Sequence, residues 1–347
     1  PLFTPQEADS SKPVVQCTYR MANRIHVDTR LSVLKNNLLV APGDTINAFK
    51  LADNERLVRQ LDFIHKAHFV IVPVHNYPNM ADVYLLVKDV WSIGATYDPV
   101  SFDEHRFSLY DINIVGLGRS LTTRYDLDLD SEQLIGFEAL LKASNLFGTF
   151  MDAKLRYRNT AYENTLFYSL ERKAVLQSFS YFWGGSVRYN ELLQRFGFAD
   201  GQLRLPVHSM EYDAWLSRNF IFGPEERRNW LVAGRYYRYH SLGRPTVWEE
   251  DKYLANRHQF LGSIMLSRLN YYKSQNISGL GRTEDLPYGY FTKLTAGYEI
   301  NELNNMPYLG LTAGGGFSTN TSGLWYFFGE MGGFHTGNMF CRTAMQA

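Results

Sequence analysis

The sequence contains no run approaching the ~18 consecutive apolar residues that a membrane-crossing helix needs, and its mean hydropathy is slightly negative. That excludes a helical membrane protein and leaves open a β-barrel, whose strands need only alternate. Charge of one sign is not in excess: 35 Lys and Arg balance 35 Asp and Glu. Without a basic surplus there is nothing to draw the chain onto nucleic acid. Cysteine is scarce, and Cys17 and Cys341 stand at opposite ends, so they make no metal-ligand spacing and leave one long-range disulfide or two free thiols open. An initiator Met and an apolar signal core are also missing; the opening PLFTPQEADSSKP is what a mature or trimmed exported chain would show.

Enzyme motifs are as scarce. GLGRS at 116–120 is neither a nucleophile elbow nor a dinucleotide fingerprint, since Leu121 stands where the last glycine should, and before a strand it reads as a tight turn. GGG at 314–316 falls inside a strand pattern with no following helix to bind phosphate. His65, His68 and His75 lack zinc spacing, and the adjacent His240 and Ser241 point to opposite sides of a strand. NIS at 276 and NTS at 320 match glycosylation sequons, a frequent coincidence. The expectation is a protein that is not an enzyme and that holds neither metal nor cofactor.

What the chain does have is alternation and aromatic rings, with 23 Tyr and 23 Phe among 347 residues. In MDAKLRYR, Met151, Ala153, Leu155 and Tyr157 fall on one face and Asp152, Lys154, Arg156 and Arg158 on the other. SLTTRYDLD sets Leu121, Tyr125 and Leu127 against Arg124 and Asp126. EYDAWLSRNF sets Tyr212, Ala214 and Leu216 against Glu211 and Asp213, and TKLTAGYEI sets Leu294, Ala296 and Tyr298 against Lys293 and Glu299. From Ser92 onward about a dozen such segments follow one another, with a second face too charged for a dry core. A soluble sandwich could hold some of them; a closed barrel with apolar residues toward lipid and charges toward a wet lumen suits the whole run better. Tyr236, Tyr237 and Tyr239, Tyr271 and Tyr272, and Trp325 to Phe328 cluster near expected strand ends, where an interfacial girdle would place rings. NWLVAGRYYRYH is less clean, because it puts Arg235 on one face with Leu231 and Ala233.

Residues 24–91 read differently, after a polar extension over 1–23. RIHVDT is expected as a strand ending at Thr29, an N-cap for a helix over RLSVLKNNLL; a second helix runs over about 47–61, and the strands KAHFVIVPV and ADVYLLVKDVW follow. The order β-α-α-β-β, carried by Thr29, Gly43, Asp44, Leu61, Phe63 and the strands at 67–74 and 82–90, resembles a POTRA domain. A POTRA-like domain running into a barrel through VKDVWSIGATYDP, with GLGRSLTTRYDLD, SNLFGTF and RTEDLPYGY beyond, resembles the Omp85 superfamily of BamA-like outer-membrane proteins. The family's Arg-Gly-aromatic loop is missing, since no Arg-Gly pair occurs, and the expectation is a barrel cut short before its last strands, with open edges near Ser92 and Gly323.

The resemblance implies a bacterial outer-membrane protein with its small domain in the periplasm, partnered by membrane lipid and by client polypeptides or other subunits. It also implies assembly of β-barrel proteins, or passage of polypeptide or lipid, without a nucleotide. A structural docking subunit is the alternative. An accepting edge for an incoming chain is expected over Ala67, His68, Phe69, Val70, Ile71, Val72 and Val74.

Overall fold

The computed structural model describes residues 26–172, 179–198, 201–222, 227–245, 254–275, 283–319, 323–336 and 339–346. Cys17 and both sequons lie outside them. Two helices come first, α1 (Leu31–Asn36) and α2 (Ala48–Arg59), then a two-stranded antiparallel sheet of β1 (Ile64–Pro73) and β2 (Ala81–Asp89). Asn47 caps α2, its side chain accepting from the Phe49 and Lys50 amides at 2.9 and 3.1 Å. A two-stranded sheet is marginal alone. Here it is supported by a small core in which Val58 of α2 meets Phe63, Ile64 and Ala67, walled by Val33, Leu34, Leu85, Val87 and Ile112.

Three expectations for this part are corrected. Residues 26–30 form no strand, so among the described residues the order is α-α-β-β. Thr29 does not cap α1: Arg30 holds the N-cap position without a side-chain bond, and α1 stops after six residues because Asn37 leaves helical geometry. Thr29 instead gives its amide to Asp89 Oδ2 (2.7 Å) and takes a hydrogen bond from Asn113 Nδ2 (2.8 Å). Val74 lies just past β1, its amide bonded to the Met80 carbonyl.

Beyond Ser92 the chain is a single antiparallel meander of fourteen strands, β3 (Ile93–Pro99), β4 (Glu104–Asp111), β5 (Arg119–Asp128), β6 (Ile135–Ala143), β7 (Asp152–Thr160), β8 (Glu163–Arg172), β9 (Tyr181–Phe198), β10 (Gly201–Phe222), β11 (Arg228–Gly243), β12 (Arg257–Gln275), β13 (Thr283–Asn301), β14 (Met306–Thr319), β15 (Gly323–Thr336) and β16 (Met339–Gln346). The expected dozen was an undercount. The strand at Gly323 is not an edge, since β15 pairs with both β14 and β16; the outer strands are β3 and β16, and no pairing joins them among the described residues. Met151 precedes β7 and accepts from the Leu146 amide at 2.8 Å.

β3 to β8 are seven to ten residues long, close to the ~9–11 residues of a tilted bilayer-crossing strand. The later strands overshoot. Arg228 on β11 pairs with Arg268, so Leu269 to Gln275 of β12, paired with Thr283 to Gly289, project beyond β11 toward the small domain.

The turns at the small-domain end are two copies of one device. In the β4–β5 turn Asn113 Oδ1 accepts from the Gly118 amide (2.8 Å); in the β6–β7 turn Asn145 Oδ1 accepts from the Phe150 amide (2.7 Å). Each asparagine then turns its amide nitrogen on the small domain, Asn113 to Thr29, and Asn145 to the Asn36 carbonyl and Asn37 Oδ1, both at 2.9 Å. The backbone between them turns through left-handed residues, Val115 then Gly116 and Phe147 then Gly148. Of these, Val115 is the residue least suited to positive φ, being β-branched.

Asn145→Ala removes three hydrogen bonds at a nearly buried position whose φ of +48° suits asparagine better than alanine. The variant should lose about 2 kcal/mol, read as a lowered urea midpoint in detergent micelles. A midpoint equal to that of the parent would show that the turn is not anchored by this side chain.

Candidate functional site: a charged inner wall and a docked helix

Alternation sends every second side chain of β4 to β13 to the same face of the sheet, and hydrogen-bonded register sets those side chains opposite one another. One such row runs Arg124, Glu138, Arg158, Thr165, Asn190, Ser209 across β5 to β10. The next runs Arg156, Phe167, Arg188, Glu211, Tyr239, Arg257 across β7 to β12.

Glu138, only 9% exposed, is shared by Arg158 (2.9 Å), Arg156 (3.2 Å) and Arg124 (3.6 Å). Asp126 takes Arg106 (2.9 Å) and Arg158 (3.3 Å), and Glu163 takes Arg158 at 3.0 Å. Lys154 approaches Glu171, and Asp152 Oδ1 accepts from the Asn145 amide. Farther round, Glu211 receives Asn190 (2.9 Å) and Tyr237 (3.2 Å), and Asp213 is gripped at both oxygens by Arg235 (2.9 and 2.7 Å). The eight charged residues expected on one face, Arg124, Asp126, Asp152, Lys154, Arg156, Arg158, Glu211 and Asp213, thus stand on a single polar wall. Arg235 belongs to it as well, with Trp230 and Val232 facing the other way; Arg238 shares their side, against the Tyr212 ring.

The opposite face is mainly apolar and open, with Arg218 and Arg238 as exceptions that lie over the Phe220 and Tyr212 rings. Leu121, Tyr125, Leu127, Leu155, Tyr157, Leu294, Ala296 and Tyr298 are exposed there, Ala153 half so, joined by Leu166, Tyr168, Leu216, Phe260 and Ile264 from neighbouring strands. Met151, outside β7, is half-buried. The aromatic runs resolve differently. Tyr236 stacks outward on Phe260 (5.2 Å) while Tyr237 and Tyr239 face the polar wall; Trp325 to Phe328 open β15 at the small-domain end, all exposed.

At that end α2 docks on the projecting hairpin. Arg59, 3% exposed, binds Asp285 through two nitrogens (2.6 and 3.0 Å), Glu55 (2.6 Å) and the Ala67 carbonyl (3.1 Å). Lys273 reaches Glu55 at 2.5 Å, Arg56 lies 3.8 Å over the Tyr271 ring, and Arg227 meets Asp53 at 3.1 Å. Sequence reasoning missed this joint, because Glu55 and Lys273 are 218 residues apart and nothing in either neighbourhood marks the other.

These contacts tie distant strands together. Asn145, between β6 and β7, touches Asn37, which accepts from Asn54 of α2 (2.7 Å), and Asn54 lies between Asp53 and Glu55, the partners of Arg227 and Lys273. Five strand spacings separate β7 from β12, about 24 Å in a flat sheet. The small domain bridges them through Asn37, Asn54 and Glu55.

Among the expected edge residues, Ala67 is buried in the small core, Val70, Ile71 and Val72 are exposed, and Ala67 to Val72 pair on one side with Val87 to Asp82. Residues 64–73 have no ladder partner on their other side among the described residues.

No protein-family model and no curated protein matches the chain. Among solved structures, that of BamA from Haemophilus ducreyi lacking POTRA domains 1-3 aligns with 92% of this chain and 80% of its own, at 10% identity and a TM-score of 0.34.

Burial opposes ionisation of Glu55, and the Lys273 ammonium and Arg59 guanidinium outweigh it, holding the carboxyl below its ordinary value of 4.5. A depressed carboxyl stabilises docking fully above its unfolded value and ceases to as pH falls through the folded one. The distance between spin labels on α2 and on the β12–β13 hairpin should therefore stay narrow from pH 7 to about 5 and broaden below about 4. Glu55→Gln should be broad at every pH; a narrow distribution in that variant would remove Glu55 from the joint.

Proposed function

We propose that the chain is an outer-membrane β-barrel protein of the Omp85 type, with residues 24–91 as a POTRA-like domain on the periplasmic side. It acts in assembly or insertion of β-barrel proteins, or in passage of polypeptide or lipid, without a nucleotide or any enzymatic step. The observation that carries this reading is the division of one fourteen-stranded meander into an open apolar face and an ion-paired polar face. Apolar side chains exposed on strand after strand make a surface wider than the few hundred Å² a soluble monomer leaves open, and lipid is the solvent that fits it. Client polypeptide is the partner that fits the unladdered edges: β3, β16 and residues 64–73 each offer backbone donors and acceptors in register.

A docking subunit anchored by its barrel is the second reading, favoured by the inner wall itself, whose charges are spent on one another. The two differ in planar bilayers: a translocating or imperfectly sealed barrel conducts, and an anchor is silent.

Lipid contact has its own test. Leu155→Arg should cost about 2–4 kcal/mol in folding into lipid vesicles, whereas Lys154→Arg one residue away should cost almost nothing. Equal costs would count against a bilayer on the apolar side.

A further inference from the structure

The joint between the small domain and the sheet holds a cluster that neither the wall nor the docked helix uses. His26 is buried, its side chain 2% exposed, with its ring stacked on Trp91 at 6.5 Å between centroids. Among the described residues neither ring nitrogen has a hydrogen-bond partner. Nε2 nevertheless faces two carboxylates, Asp28 Oδ1 at 3.6 Å and Asp89 Oδ2 at 3.7 Å, and one donor atom from each of the three residues lies within 4.8 Å of the others.

Those separations are too long for hydrogen bonds, which run to about 3.2 Å. They are close to what a shared ion would set. Bonds of roughly 2.0–2.2 Å in a tetrahedron put ligand atoms about 3.3–3.6 Å apart, so both Nε2–carboxylate separations already stand near that spacing. One imidazole with two carboxylates is a mixed nitrogen and oxygen set, which suits zinc and its first-row neighbours better than calcium or magnesium. Asp89 is oriented by the Thr29 amide on the oxygen that faces His26, and Asp28 is largely exposed, leaving room for water at a fourth position.

We propose that His26, Asp28 and Asp89 bind a divalent cation of the zinc class, which fastens the segment entering α1 to the end of β2. The place gives the ion a mechanical role. Thr29 next to Asp28 carries the bond from Asn113 of the β4–β5 turn, and Asp89 is followed within four residues by β3. An ion there would fix the angle between small domain and sheet, which the reading as a membrane protein neither requires nor implies.

The test uses the full chain in detergent, stripped with chelator and titrated with Zn²⁺ by calorimetry. One equivalent should bind, at least tenfold more weakly in His26→Gln and in Asp28→Asn. Co²⁺ substituted in the parent should show the intense visible bands of a tetrahedral site. In a background lacking Cys17 and Cys341, His26→Cys should shift preference to Cd²⁺ and produce a thiolate-to-cadmium absorbance. No stoichiometric binding by the parent would overturn the proposal. So would binding unchanged in both variants, which would place the ion elsewhere, or a folded His26→Cys protein without the cadmium band.

Discussion

A sheet face that carries arginines on β4, β5 and β7 within reach of one another can exist only if each guanidinium finds a carboxylate before it is taken out of water. Glu138 is where that condition is tightest: three arginines on β5 and β7 converge on one nearly buried carboxylate, and Asp126 and Glu163 take up the remaining guanidinium faces. Exact register is what makes this feasible. Arg124, Glu138 and Arg158 are directly opposed across β5, β6 and β7, so a slip of one residue on β6 would replace the carboxylate by Phe137 or Ala139 and leave three charges unanswered. The ion pairs therefore specify pairing more than they stabilise it, in keeping with the small net gain from partly buried pairs.

The same logic governs the joint, with the difference that its partners are far apart in the chain. α2 has an apolar side toward β1 and an ionic side toward the β12–β13 hairpin, and Arg59 belongs to both, capping the Ala67 carbonyl while holding Asp285. The small domain cannot be lifted off without stranding buried charges. It also ties distant strands together, because the Asn145 turn binds the end of α1 and the hairpin binds α2.

Much of the large sheet was legible because a period of two is visible in short windows: β5, β7 and β13 read correctly from alternation alone, and the β4–β5 turn from its glycines. The failures have physical causes. RIHVDT has the composition of a strand, yet the His26 ring packs on Trp91 beside Asp89 and the backbone bonds the β4–β5 turn instead, through the Arg30 amide and the Gly116 carbonyl. Thr29 looks like a cap, and a competing tertiary acceptor and donor claim it. Strands were undercounted at the start of the run, where β3 to β8 are short and follow one another closely, not along the long β9 to β13. Arg235 does share a face with Leu231 and Ala233, as expected; what the sequence hid is its partner Asp213, 22 residues away on the neighbouring strand, which no local window contains.

On the proposed reading, the unladdered edges and the docked joint together bear on where a client strand would be admitted. β3 and β16 present unlike neighbourhoods: just ahead of β3 the Val90 amide bonds the Phe63 carbonyl of the small domain, while among the described residues β16 pairs only with β15. A strand added to β3 would find an edge whose position is set by the docked domain; one added to β16 would have no such reference. Residues 64–73 are a third acceptor, and they share α2 with the joint, so anything that shifts α2 on the hairpin moves this edge relative to β3. If client strands are handed from the small domain to the sheet, the transfer distance is therefore fixed by Arg59, Glu55, Lys273 and Asp285 rather than by a flexible linker, since the chain from Asp89 to Ile93 is only a few residues and already hydrogen-bonded.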